Sequence, residues 1–283
     1  MNSTSPLLVS VHGGHSGQFC NHAQDSLQDV VQAYIARGFA WVGITEHMPP
    51  VADQFLYPEE READLTAQRM GSRFADYMSE IRRLQDAYRQ QIQIFAGFET
   101  EAYSGSRPYI RQLLDKYHPD YIVGSLHHVD DIPFDYSADE YTRAVAHAGG
   151  LEPLYCRYFD AQYNLIRSLR PAVVGHFDLI RLFDPEYNQR LQLSAVAQRI
   201  ARNLRLIRDL DLILDLNVAA LRKGASEPYV SHHILSQARD LGIAVVPGDD
   251  AHGVDSVGDR LDQGIRLLQQ MGFNTDWRKP ARL

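Results

Sequence analysis

The chain has 283 residues, of which 45% are hydrophobic and 23% charged, and its formal net charge is −8. This composition is typical of a folded protein and excludes long disordered, collagen-like and coiled-coil structures. The length fits one barrel-sized domain spanning residues 1–283. The negative charge disfavours nucleic acid as a partner.

The cellular location is predicted from features that the sequence lacks. Two cysteines in a chain of this length are not a disulfide framework. No stretch approaches the ~20 apolar residues that a membrane span needs, and the first residues lack the basic region of a secretory signal. We therefore expect a cytoplasmic protein without a membrane partner; the sequence indicates no oligomeric state.

Seven apolar runs of strand length recur along the chain, separated by helical patterns. They occupy residues 7–12, 40–47, 92–99, 121–128, 172–178, 212–217 and 243–252. Near-continuous apolar strands joined by helices are typical of a parallel sheet that is buried on both faces. Seven such units most simply close into a barrel, so we predict an α/β fold of the (β/α)7 barrel type.

The helical patterns carry recognisable ends. Leu27, Val30, Val31 and Tyr34 follow helical spacing after Ser26 or Asp25 as a cap, and Gly38 can end that helix. Residues 134–170 are long enough for two helices.

Residues able to bind a metal ion follow six of the seven runs. They are His12 with His15, then His47, Glu99, His127, His176, and Asp250 with His252; His22 lies in the loop after the first run. The loops after the strands of a parallel barrel all open onto one face, so these residues should meet. Imidazole and carboxylate groups suit zinc, manganese and iron.

The number of candidate ligands predicts more than one metal ion at the carboxyl ends of the strands. Closely spaced ions usually share a bridging carboxylate, and Glu99 is the best candidate. Glu101 is the alternative, because it is two residues further on and on the same side of an extended strand. Cys20 could approach the metals from its loop, or be a small packed residue.

Four further residues are candidates for binding a phosphate ester. Arg181 follows the fifth run, and Arg222 and Lys223 follow the sixth; arginine pairs bidentately with phosphate oxygens. Asn217 ends the sixth run and could orient substrate or water. The acids Asp130, Asp131 and Asp178 could bind an amine, and the sequence does not choose among them.

Seven short motifs, taken in order, resemble those of the PHP (polymerase and histidinol phosphatase) superfamily, and within it the histidinol-phosphatase family. They are HGGHS, CNHA, ITEH, GFE, GSLHH, GHFD and GDDAH, which span nearly the whole chain. The resemblance implies a distorted (β/α)7 barrel that holds three divalent ions: zinc, iron or manganese.

The resemblance also implies a ligand set for each ion. The first site would have His12, His15, Asp250 and the bridging Glu99; the second Glu99, His127 and His176; the third His22, His47 and His252. The family usually separates its first two histidines by one residue, whereas two glycines stand between His12 and His15. Gly13 and Gly14 permit a bulge that would restore His15 to the metal.

The expected activity is that of a metal-dependent phosphomonoesterase. The resemblance implies hydrolysis of a small phosphate ester, L-histidinol phosphate, to L-histidinol and phosphate in histidine biosynthesis. Glu99, Asp250 and His252 would be catalytic, and Arg181 and Arg222 match phosphate-contacting positions. A site with three divalent ions and few carboxylates keeps a net positive charge, which suits a phosphate dianion.

Other activities remain open. A phosphoesterase of the same superfamily acting on nucleotides or oligonucleotides is disfavoured by the net charge of −8. Metal-dependent amidohydrolases are also barrels, but many use a lysine at a strand end, and Lys116, Lys223 and Lys279 lie outside the seven runs. A non-catalytic metal-binding protein is disfavoured by the near-complete ligand set.

Overall fold

Seven parallel strands form a nearly closed barrel in the computed structural model, which describes residues 6–283. They are β1 (Val9–Ser10), β2 (Trp41–Ile44), β3 (Gln93–Glu99), β4 (Tyr121–Gly124), β7 (Val173–Val174), β8 (Ile213–Asn217) and β9 (Ala244–Gly248), hydrogen-bonded in that order. The N–H of Val11 donates to the Pro247 oxygen at 3.0 Å, which brings the first and last strands together. The predicted fold is therefore confirmed.

Each predicted apolar run contains one strand of the barrel, although the strands are shorter than the runs. The run at 7–12 gives only Val9–Ser10, for example, because the residues after it turn into the loop that carries the histidines. A small hairpin of β5 (His128–Val129) and β6 (Ile132–Pro133) was not predicted. Asp130 and Asp131, both with positive φ, form its two-residue turn.

Eleven helices surround the strands of the described chain. They are α1 (Leu27–Ala36), α2 (Pro58–Glu62), α3 (Ala67–Tyr88), α4 (Ser106–Tyr117), α5 (Ala138–Ala148), α6 (Leu151–Leu169), α7 (Tyr187–Arg190), α8 (Ser194–Asp209), α9 (Ala219–Arg222), α10 (His232–Asp240) and α11 (Leu261–Gln270). Ser26 caps α1 by accepting from the N–H of Asp29, as predicted, and α5 and α6 are the two helices expected in 134–170. Short 3-10 turns lie at Asp53–Phe55, Leu179–Arg181 and Val254–Ser256.

Tyrosine hydroxyl groups join elements inside the barrel. Tyr121, on β4, donates to the backbone oxygen of Val11 at 2.6 Å. A Cβ atom on Gly43 would lie 1.7 Å from that tyrosine oxygen, so the close approach requires glycine. Tyr77, on α3, donates to the Gly97 oxygen of β3 at 2.6 Å. These bonds fix the strands whose carboxyl ends carry the candidate ligands.

The helices of residues 6–283 include none with both the length and the apolar character that crossing a bilayer requires.

Candidate metal centre

The carboxylate of Glu99 lies at the centre of the histidine cluster. Glu99 is the last residue of β3 and is almost fully buried. Five ring nitrogens surround its two oxygens: His176 Nε2 at 2.8 Å, His12 Nε2 and His127 Nε2 at 3.4 Å, His47 Nδ1 at 3.2 Å and His15 Nε2 at 3.9 Å. The five histidines follow the carboxyl ends of four strands, β1, β2, β4 and β7, and Glu99 itself ends β3. One carboxylate is therefore placed where it can serve several cations.

Three overlapping groups of side chains have the spacing of metal ligands. In each group the ligand atoms all lie within 4.8 Å of one another: His12, His15 and Asp250; His12, Glu99 and His176; and His15, Cys20, His47 and His252. The first two groups resemble the first and second predicted ligand sets. The third group contains His47 and His252 of the third predicted ligand set, together with Cys20 and His15.

The carboxylate of Asp250 is held in place by its neighbours. Asn217, at the end of β8, donates through Nδ2 to Asp250 Oδ2 at 3.1 Å and to Asp215 Oδ2 at 3.2 Å. Arg222 donates to the backbone oxygens of Asp249 and Asp250, the latter at 2.7 Å. Asn217 and Arg222 therefore act on the loop that presents Asp250.

A second layer of carboxylates lies behind the histidines. Asp215 Oδ2 is 2.9 Å from Nδ1 of His12, which directs the other ring nitrogen toward Glu99. Glu101 Oε1 is 2.8 Å from Nδ1 of His127 in the same way. Such partners orient a ligating imidazole and raise its basicity. Glu101 therefore contacts the far side of the His127 ring, while Glu99 occupies the central position among the histidines.

Sequence reasoning missed two of these supporting carboxylates. Glu46 lies 3.6 Å from Nδ1 of His15 and accepts hydrogen bonds from the backbone and hydroxyl of Ser16. It directly precedes His47 in the ITEH motif. Asp215 alternates with Asn217 along β8, which places both on one face of the strand. That alternation was the available signal for Asp215.

The central carboxylates remain ionised at neutral pH. Burial would raise the pKa of Glu99, but the neighbouring His12 and His127 hold it well below its usual range. Asp250 behaves similarly, since His12 and His15 outweigh the effect of burial on its pKa. Negative charge is therefore fixed where a cation would bind.

The histidines divide into two classes. Burial would lower the pKa of His15, but the nearby carboxylates of Asp250 and Glu46 raise it to about 10. Burial and the nearby His15 instead lower the pKa of His252 to about 3, and that of His47 falls well below its usual value. A neutral imidazole is the form that binds a metal ion.

Several buried nitrogen atoms fit a cation as their missing partner. Within residues 6–283, His12 Nε2, His47 Nδ1 and both ring nitrogens of His15 have no hydrogen-bond partner. Buried polar atoms without a partner are costly. The donor set of imidazole and carboxylate is that of zinc, iron or manganese, so these residues fit a metal centre.

His22 lies at the outer edge of the cluster. Its side chain is 44% exposed, and its Nδ1 is 3.3 Å from Glu59 Oε1. Its Nε2 is 3.3 Å from the sulfur of Cys20. Its ring is nevertheless close to the cluster, with its centroid 5.0 Å from that of His252.

A cavity of about 260 Å³ opens over the cluster. Its wall includes Glu99, His47, His127, His176, Asp250, His252 and His22, together with Tyr57, Glu59, Asp135, Tyr136, Lys223 and Tyr229. Of the described arginine and lysine side chains, Lys223 alone lines it. Asp135 lies in the loop after β6, and no motif in the sequence pointed to it.

Arg181 is not on the wall of this cavity. Its buried guanidinium group donates to the backbone oxygens of Glu227 and Pro228 and lies 3.2 Å from Asp178 Oδ2. It also lies over the ring of Tyr229, a residue of the cavity wall. The phosphate contact expected of Arg181 stays a prediction. Its Nη2 donates to the loop at Glu227 and Pro228, whereas its Nε has no hydrogen-bond partner within residues 6–283.

The three acids suggested for binding an amine are also engaged elsewhere. Asp130 pairs with Arg157, and Asp131 accepts from the backbone and hydroxyl of Ser104. Asp178 accepts from Ser231 and pairs with Arg181, as described above. Asp135 and Glu59 are the acids other than Glu99 and Asp250 on the described cavity wall.

Comparison with known proteins gives relatives over nearly the whole chain. The PHP domain family matches residues 13–219. A probable histidinol-phosphatase of Schizosaccharomyces pombe is 39% identical over 273 residues, which cover 95% of this chain and 88% of that protein. The histidinol-phosphatase of Saccharomyces cerevisiae is 28% identical over 281 residues, 87% of this chain and 84% of that protein.

Solved structures show the same fold. A candidate histidinol phosphatase of Listeria monocytogenes superposes with a TM-score of 0.80 at 25% identity, covering 90% of this chain and 99% of that one. The histidinol phosphate phosphatase of Lactococcus lactis, solved with zinc, L-histidinol and phosphate, gives a TM-score of 0.73 at 18% identity, covering 94% of each chain.

Proposed function

The chain belongs to the PHP domain family, and we propose that it is a metal-dependent phosphatase that hydrolyses L-histidinol phosphate to L-histidinol and inorganic phosphate in histidine biosynthesis. The observation that carries this proposal is the convergence of five histidines from four strand ends on Glu99, beside a cavity large enough for a small phosphate ester.

We assign three divalent ions, of zinc, iron or manganese, to the overlapping ligand groups. The proposed ligands are His12, His15, Asp250 and Glu99 for the first ion, Glu99, His127 and His176 for the second, and His22, His47 and His252 for the third. When bound, such ions orient a phosphoryl group, activate water and offset the developing charge.

The protein's own residues position this chemistry. Glu99 holds the centre of the cluster, and Asn217 and Arg222 hold Asp250 from two sides. Lys223 lines the cavity and supplies a positive charge for the phosphate oxygens. The catalytic assignment to Glu99, Asp250 and His252 rests on their shared position on the cavity wall.

Asp135 is suited to the amine of L-histidinol. Its Oδ1 atom is buried on the cavity wall and lacks a hydrogen-bond partner within the described part of the chain. Burial raises the pKa of Asp135, and an ammonium group would favour its charged form again. Tyr57 and Tyr136, stacked with ring centroids 5.9 Å apart, offer flat surfaces for an imidazole.

The test is phosphate release from L-histidinol phosphate by the metal-analysed protein. p-Nitrophenyl phosphate, a mononucleotide and a short single-stranded oligonucleotide are assayed in parallel. We expect a strong preference for L-histidinol phosphate that disappears on chelation and returns when divalent metal is restored.

The other outcomes are equally informative. Metal-dependent release from the other esters, with little from L-histidinol phosphate, would keep the metal centre but overturn the proposed substrate. Release that is unaffected by chelation would overturn the metal-dependent mechanism.

A further inference from the structure

The sulfur of Cys20 lies inside the group of side chains that the third cation would occupy. Its Sγ atom and one ligand atom each of His15, His47 and His252 are all within 4.8 Å of one another. We propose that Cys20 is a metal ligand and that its thiolate helps to hold this third cation. The inference rests on the metal-dependent chemistry proposed above but not on the identity of the substrate.

The loop between β1 and α1 fixes the position of Cys20. The N–H of Cys20 donates to the Ser16 oxygen at 2.8 Å, and the Ser16 hydroxyl donates to Glu46 at 2.7 Å. Arg73, on α3, donates to the Gln18 oxygen at 2.9 Å. The turn that carries the thiol is thus bonded to the residue before His47 and to a long helix.

The neighbouring imidazoles provide an independent sign of a ligand. His15 is fully buried, and neither of its ring nitrogens has a hydrogen-bond partner within the described chain. Its ring centroid is 4.5 Å from that of His47 and 4.5 Å from that of His252. A cation between these rings and the sulfur would satisfy atoms that are otherwise desolvated without compensation.

His22 fits the same arrangement. Its Nε2 lies 3.3 Å from Cys20 Sγ. Zinc–sulfur and zinc–nitrogen bonds in a tetrahedral site place two such donors about 3.5 Å apart. The thiolate therefore connects the exposed His22 to the buried imidazoles of the group.

A sulfur ligand would change the choice of metal. Thiolate favours zinc over the harder manganese ion, and coordination deprotonates a thiol outright. We therefore expect the third metal position to prefer zinc. The first two positions, which have only nitrogen and oxygen ligands, should discriminate less between zinc and manganese. The alternative is that Cys20 is only a small packed side chain.

Cobalt substitution tests the inference directly. The protein is freed of its metals, loaded with Co²⁺ and examined for the near-ultraviolet charge-transfer band that a thiolate–cobalt bond produces. The chain has only two cysteines, and Cys156 is a free, half-buried thiol on α6, so Cys156→Ser is a matched control. We expect the band in the wild type and in Cys156→Ser, and its loss in Cys20→Ser.

A second readout is metal retention. Cys20→Ser should lose its most weakly held ion at a chelator concentration about tenfold lower than the wild type, and should lose its preference for zinc over manganese at that position. Cys156→Ser should match the wild type in both respects. Far-ultraviolet circular dichroism checks that each variant folds.

The results separate the two proposals. A cobalt-loaded wild type without the band, or a band that persists in Cys20→Ser, overturns the ligand inference even if one variant folds poorly. A thiolate band in a protein that does not release phosphate from L-histidinol phosphate would support the ligand and overturn the substrate. An enzyme that hydrolyses L-histidinol phosphate but shows no thiolate band would support the substrate and overturn the assignment of Cys20 as a ligand.

Discussion

Glu99 combines full burial, negative charge and five imidazole neighbours in a single side chain. Replacing it in Glu99→Gln preserves its shape but removes the charge that a pair of cations would share. We expect kcat for phosphate release to fall by more than about a hundredfold with the fold intact, as steady-state assays and circular dichroism would show.

Glu101→Gln is the matched control for that change. Its carboxylate lies behind His127 rather than between the ligands, so its loss should weaken metal binding by about 10–100-fold and activity by less than Glu99→Gln. Near-normal turnover in Glu99→Gln would rule out its bridging role.

Lys223 and Arg222 are neighbours with different expected roles. Because Lys223 lines the cavity, Lys223→Ala should raise the KM for the phosphate ester by about tenfold. Because Arg222 bonds the backbone at Asp250, Arg222→Ala should lower kcat and metal content. Kinetics with metal analysis distinguish the two, and an Arg222→Ala variant changed only in KM would move Arg222 to the phosphate.

Asp135 should determine specificity rather than turnover in general. Asp135→Asn removes the charge that would meet the substrate's ammonium group, so kcat/KM for L-histidinol phosphate should fall by about 10–100-fold. p-Nitrophenyl phosphate has no amine and should be affected little. An equal fall for both esters would show that Asp135 only supports the structure; Asp131→Asn, in the exposed hairpin turn, is the control.

At the scale of secondary structure elements, the strands bring distant residues together and the loops set their final positions. The N–H of Asp250 donates to the His12 oxygen at 2.8 Å across the closure of the barrel. None of the metal-ligand groups found among the described residues lies at the opposite end of the barrel, which is held by structural hydrogen bonds. The bonds of Asp120, which directly precedes β4, are the clearest example.

Asp120 joins α3, β3 and β4. Its oxygens accept from Arg82 at 3.0 Å, Gln85 at 2.7 Å and the N–H of Ala96 at 2.8 Å. Although burial opposes it, the bond from Ala96 and those from Arg82 and Gln85 lower the pKa of Asp120. A lowered folded-state pKa contributes stability above the unfolded value of about 3.9, which is lost as the pH falls through the folded value.

We expect Asp120→Asn to lower the free energy of unfolding by about 1–3 kcal/mol at pH 7. The difference from the wild type should begin to narrow below about pH 4, where Asp120 of the unfolded chain becomes protonated, and should be lost once the pH falls below the lowered folded-state pKa. Urea unfolding at several pH values measures this. Asp115→Asn, an exposed change on α4, should have little effect, and an unchanged Asp120→Asn gap in acid would contradict the explanation.

At the scale of the whole molecule, the metal centre should also stabilise the fold. At a free concentration of about a hundred times its Kd, a cation that binds only the folded barrel would add about 3 kcal/mol to the free energy of unfolding. Chelation should therefore lower the Tm by several degrees, and restored metal should reverse the change. Glu99→Gln should show a smaller shift; identical melting with and without chelator would contradict this coupling.

The strand positions and most of the proposed ligands were predictable from local sequence. An apolar run that is followed by His47, Glu99 or His176 indicates both a strand and a metal ligand within a few residues. Because a parallel barrel places the carboxyl end of every strand on one face, such ligands are expected to meet. The carboxylates that support the ligating histidines, and the acid on the cavity wall, were harder to predict from the sequence. Asp215 and Glu46 could have been inferred from alternation and adjacency, whereas Asp135 has no local signal.

The sequence by itself determined the class of barrel, the expected chemistry and the residues that could serve it, because periodicity and residue type are local properties. Only the tertiary structure decided how side chains divide their bonds. It bonds Arg181 to Glu227, Pro228 and Asp178, places Arg222 on the Asp250 backbone, and brings Cys20 to His15, His47 and His252. Those outcomes depend on which donors and acceptors meet once loops far apart in sequence are packed together, and no local pattern records that.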